Sequence, residues 1–107
     1  MKDIIKIVEE KYPETMNQFK IINEEQVKLF SKKQHDYGPG NISMGGNKDL
    51  AMIGLAVRMN DKVQRLLNIL YNNKGETAVE ETLKDTLQDL SVYGIIGQIL
   101  NNDKWGK

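Results

Sequence analysis

Glu80–Leu100, EETLKDTLQDLSVYGIIGQIL, is the stretch whose reading decides the fold. At 100° per residue Leu83, Leu87 and Leu90 form one apolar stripe. On the opposite side Val92, Ile96 and Ile99 share a meridian with Glu81, Asp85 and Asp89. That is helical spacing, and no period-two alternation runs through it. An acidic line that continues as an apolar line predicts carboxylates turned toward the protein or a partner chain. A solvated acidic face would continue as polar residues. TAVE, Thr77–Glu80, fits a capping box, so the helix is expected to open at Thr77 and run to about Leu100.

Outward from this segment the chain reads as more helix. NNKG, Asn72–Gly75, closes a preceding helix that opens with Asn47 as N-cap and Asp49 in its first turn. Met52, Leu55, Met59, Leu66 and Leu70 are its expected core stripe. Opposite them lie Gly54, Arg58, Asp61, Arg65, Asn68 and Asn72, with Lys62 close by. Before it comes HDYGPGNISMGGN, His35–Asn47, which holds four of the nine glycines and one of the two prolines. Gly38 and Pro39 end the helix before it, whose face is Phe19, Ile22, Gln26, Leu29 and Phe30. Pro13 and Glu14 suit that helix's first turn. A short amphipathic helix through Ile4, Ile5, Val8 and Tyr12 comes first. No strand signal is present, and the expected fold is all-α, a small bundle of about four helices.

Composition narrows the function classes. The chain has 107 residues, the length of one domain spanning 1–107. Lysine plus arginine equals aspartate plus glutamate at 15 each, so net charge offers no long-range attraction to DNA or an anionic membrane. With no cysteine there is no thiolate nucleophile or zinc–thiolate site, and one histidine makes no His-rich metal site. MKDIIKIVEEKYP lacks the unbroken apolar run of a signal peptide, and no segment reads as a membrane span, so a cytoplasmic protein is expected.

Carboxylates spaced i, i+4, i+8 on an inward face need compensation. A divalent cation is one solution, since Mg²⁺ takes a few carboxylates together with water and phosphate oxygens. Cations from a neighbouring helix are the other, and Arg58, Lys62 and Arg65 are there to supply them. The plain alternative makes the Arg58 side a wet face with Asp61 and Arg65 as an i, i+4 ion pair. Thirteen residues is long for a helix connection, and such loops often serve binding; this one is a candidate lid. His35 reads as a polar residue at a helix end.

Three motifs in order, the Asp-Tyr-Gly of HDYGPGN, Arg-x-x-Asp-Lys-x-x-Arg-Leu from Arg58 to Leu66, and Asp-x-x-x-Asp-Leu-x-x-Tyr from Asp85 to Tyr93, resemble the small helical family called nucleotide modification associated domain 1. The resemblance covers residues from about 20 to 100. It implies an association with phage nucleotide metabolism or base modification, in the host cytoplasm if phage-encoded. It also implies a layout similar to the MazG-like nucleoside-triphosphate pyrophosphohydrolases, which assemble as dimers or tetramers. By that resemblance Asp61, Glu81, Asp85 and Asp89 would hold Mg²⁺, with Asp61, Asp85 and Asp89 catalytic. Arg58, Lys62 and Arg65 would neutralise phosphates, the Tyr37 loop would cover the base or sugar, and Tyr37 or Tyr93 could provide a surface to stack on. The MazG-like enzymes carry Glu-x-x-Glu on one helix and Glu-x-x-Asp on the next; here a lone Asp61 stands among three cations.

Three functions follow. One is Mg²⁺-dependent hydrolysis of a nucleoside triphosphate or related nucleotide. The second is a non-catalytic sponge that sequesters a signalling nucleotide of host defence. The third is a helical interaction module with no small ligand. Partners are then a nucleotide-derived molecule and further copies of the chain, with no direct DNA binding and no membrane.

Overall fold

The computed structural model describes residues 3–107, so Met1 and Lys2, where the N-terminal reading begins, lie outside it. Among the described residues all regular structure is helical: α1 (Ile4–Lys11), α2 (Pro13–Tyr37), α3 (Gly40–Ser43), a 3₁₀ turn (Met44–Gly46), α4 (Lys48–Tyr71) and α5 (Leu83–Asn101). The all-α expectation holds, with five α-helices where about four were expected. None is long and apolar enough to cross a membrane.

Two compact units divide the chain between Lys33 and Gln34. In the first, the Asp3 side chain caps α1 by accepting from the Lys6 N–H. Tyr12 breaks the helix and Pro13 starts α2, where a missing N–H costs nothing. A Lys20–Glu9 pair at 2.7 Å ties α2 back to α1. The expected α2 face is only partly hidden: Gln26 is buried, whereas Phe19 is 63% exposed.

The second unit holds the apolar core, Ile42, Ala51, Leu55, Ile69, Ile96 and Leu100. The segment expected as a loop is largely ordered here. After Gly38, whose positive φ turns the chain out of α2, it winds into α3 and the 3₁₀ turn. Ile42 of α3 is buried and lines a small hollow with Ala51, Gly54 and Leu55. Asn47 then caps α4 as expected, its side chain accepting from the Leu50 N–H at 3.1 Å.

α4 and α5 pack against each other as a hairpin. Gly97 makes the approach close, since a Cβ there would lie 3.3 Å from the Leu55 Cδ2. Two expectations need correction. α4 does not bury the stripe through Met52, Met59, Leu66 and Leu70; of that set only Leu55 is buried. The face toward α5 is Ala51, Leu55, Lys62 and Ile69, flanked by Arg58 and Arg65. Of the line read alternatively as wet, Asp61, Asn68 and Asn72 stay exposed, whereas Arg65, and Lys62 beside it, are half-buried where α5 matches them with carboxylates. α5 opens at Leu83, capped by Thr82 and not by Thr77.

Candidate functional site

The start of α5 positions the acids. Thr82 and Asp85 form a complete capping box: the Asp85 N–H donates to the Thr82 Oγ1 at 3.2 Å, and the Thr82 N–H donates to the Asp85 Oδ2 at 2.9 Å. The Thr82 hydroxyl donates to the same carboxylate oxygen at 2.8 Å. Asp85 thus closes the end of a helix. Glu81 stands just outside the helix and Asp89 two turns further in, and both reach one lysine.

Lys62 is the centre of the site. Its Nζ lies 2.6 Å from the Glu81 Oε1 and 2.9 Å from the Asp89 Oδ2. The three side chains keep only 21%, 33% and 23% of their exposure. Partial burial works against the Lys62 ammonium, but the hydrogen bonds and charges of Glu81 and Asp89 outweigh it and hold its pKa above the ordinary lysine range. The Lys62 hydrogen bond is the main cause of the lowered Glu81 pKa; it prevails over burial, with Coulombic help from Lys62 and Arg65.

Arg65, one turn along α4, completes the network. Its Nε donates to the Thr86 Oγ1 at 3.0 Å, its Nη2 donates to the backbone carbonyl of Glu81, and its Nε stands 3.7 Å from the Glu81 Oε2. The Thr86 side chain is completely buried, and its hydroxyl turns back to the Thr82 carbonyl at 3.2 Å. Every buried side-chain nitrogen or oxygen among the described residues has a partner. Arg58 points the other way along α4, donating from Nη2 to the Asn41 carbonyl at 2.7 Å, and so fastens α3.

The structure therefore brings together Lys62, Arg65, Glu81 and Asp89 from the sequence-predicted set. Asp61, on the same line of α4 as Arg65, is exposed. Asp85 serves the cap, Arg58 serves α3, Tyr37 is exposed at the end of α2, and Tyr93 is half-buried on α5. His35 is an exposed end-of-helix residue with its Nδ1 3.0 Å from the Asp36 Oδ1. Sequence reasoning missed Thr86; the signal was a threonine between the acidic line and the leucine stripe, next to Asp85 and three residues before Asp89.

The arrangement does not fit a magnesium ion. An ammonium already lies within hydrogen-bonding distance of Glu81 and Asp89, where a divalent cation bound by that pair would have to sit. Among the described residues no three His, Cys, Asp or Glu side chains are grouped to hold a metal.

The candidate lid is fastened on two sides. Besides Arg58, the Trp105 indole N–H donates to the Pro39 carbonyl at 3.0 Å. The tail itself is tied to α4 by Lys48, which is 3.0 Å from the Asp103 Oδ1 and donates to the Asn101 carbonyl at 3.1 Å. A cleft of about 200 Å³ opens between the glycine turn and this tail, lined by Ser43, Gly46, Lys48, Trp105 and Lys107 among others. None of the sequence-predicted site residues lines it.

No family model, curated protein or solved structure matches the chain.

Proposed function

We propose that this chain binds a nucleotide and leaves it intact, the sponge reading of the three. The observation that carries it is the Lys62 ammonium between Glu81 and Asp89. A lysine there neutralises the acids that hydrolysis would need as metal ligands, and in-line attack of water on a phosphoryl group needs both metal and positioned phosphate. Binding needs only cations and a surface for stacking. The nucleotide class itself rests on the family resemblance.

In this reading Arg65 and Arg58 carry phosphate recognition. Each guanidinium has five N–H donors in a rigid fork, and one face of the fork can serve the protein while the other meets an anion. Lys62 is engaged by Glu81 and Asp89, and Tyr37 or Tyr93 offers an aromatic plane. The test is incubation of the purified protein with a panel of nucleoside triphosphates and signalling nucleotides, with and without Mg²⁺. Chromatography before and after heat release reads the outcome. The expected result is depletion of one nucleotide and its unchanged recovery, with EDTA making no difference. Arg65→Lys, which keeps the charge and loses the fork, should weaken capture about tenfold. Metal-dependent release of monophosphate and pyrophosphate would instead establish the hydrolase, and no depletion at all would leave a helical interaction module.

A further inference from the structure

α3 is a single turn of helix, Gly40–Ser43, too short to hold its shape alone. Left-handed backbone at Gly38 and at Met44 sets it off from α2 and from the turn that follows. Side chains and carbonyls must therefore keep it in place. Ile42 is buried. The Asn41 carbonyl accepts from the Arg58 Nη2 at 2.7 Å. The Pro39 carbonyl accepts from the Ile42 and Ser43 N–H groups at 3.1 and 3.0 Å, and from the Trp105 indole at 3.0 Å. The tail thus holds the carbonyl that opens α3. Beyond α5, left-handed backbone at Asp103 (φ 57°) turns the chain back, and the Lys104 N–H donates to the Ile99 carbonyl at 3.1 Å. Gly106 (φ 74°) then lies against Pro39, where a Cβ would stand 2.9 Å from the Pro39 Cβ. Contact this close admits no side chain.

We infer that Trp105 is a positioning residue for Arg58, acting through α3. The tail holds the first carbonyl of α3, α3 presents the Asn41 carbonyl, and that carbonyl fixes the direction of the Arg58 guanidinium. A guanidinium already aimed gives up less freedom when an anion meets its remaining N–H donors. By linkage the anion in turn favours the docked tail, since both act on one segment. The anion's part rests on the nucleotide reading. The coupling of Arg58 to Trp105 does not, because it belongs to the chain without any ligand.

Exchange of individual N–H groups, followed by NMR on the ligand-free chain, tests the coupling. Gly106→Ala pushes the tail off Pro39, and Trp105→Phe keeps an aromatic ring but removes the donor. Either should speed exchange at Ile42 and Ser43 about five- to tenfold, the worth of one hydrogen bond, with Leu55 and Ile69 in α4 unchanged. Conversely, Arg58→Ala should speed exchange of the Trp105 indole N–H by a similar factor. Inorganic triphosphate, the anion that nucleoside triphosphates share, is then titrated against the Arg58 Nε–H signal. It should slow exchange of the indole N–H, and it should bind the Gly106→Ala chain about five- to tenfold more weakly than the wild type. Unchanged exchange at Ile42 and Ser43 in both tail variants would overturn the inference, as would equal affinity of the wild type and Gly106→Ala for triphosphate. No triphosphate binding to the wild type would overturn the nucleotide reading, and the positioning role of Trp105 with it.

Discussion

Lys62 answers two carboxylates at once, so its removal should do more than delete an ion pair. Lys62→Met leaves Glu81 and Asp89 facing each other across a half-buried gap. A fully buried pair broken this way costs several kcal/mol; with a fifth to a third of each side chain still wet, about 1–3 kcal/mol is expected by urea unfolding. Adding Glu81→Gln to that background should recover part of the loss. The pH dependence has a defined sign. The folded Glu81 pKa is lowered, so its contribution is present above the unfolded value of about 4.3 and is lost as pH falls through the folded one. The folded Lys62 pKa is raised, so its contribution is complete below about 10.4 and is lost as pH rises through the folded value. Stability measured across pH should show a plateau with a sag at each end, and Lys62→Met should flatten the alkaline sag. Thr86→Val should cost about 1–2 kcal/mol, because the Arg65 Nε–H loses its acceptor inside the interface.

The helices show what was legible and what was not. Asn47, Asp49 and Asn72 marked the ends of α4 correctly, because a cap needs only the residues beside it. The start of α5 was ambiguous by the same local rule. TAVE and TLKD each offer threonine followed three residues later by an acid, and the choice between them is tertiary. The Glu81 carbonyl, which a helix begun at Thr77 would engage internally, is taken by Arg65. The packing face of α4 was likewise decided from outside: methionines and leucines outrank lysine and arginine until α5 supplies carboxylates opposite them. Thr82→Ala should therefore cost about 1 kcal/mol, while Thr77→Ala should leave the thermal midpoint unchanged. Gly97→Ala should be nearly neutral, its roughly 1 kcal/mol gain in helix propensity offset by displacement of the Leu55 methyl. Gly97→Leu should wedge the hairpin open at about 1–3 kcal/mol.

At the scale of the molecule, the buried apolar residues among those described all belong to the unit from Gln34 onward. α1 buries none of its residues and meets α2 through a surface ion pair worth under about 1 kcal/mol. Amide hydrogen exchange should find α1 opening first and the facing turns of α4 and α5 last. The Trp105 bond to Pro39 carries a practical consequence. The chain has one tryptophan, and its indole is held by a carbonyl from the glycine-rich segment far upstream. Excited at the red edge, where the four tyrosines are dark, the protein reports optically on a single event: whether its tail is docked.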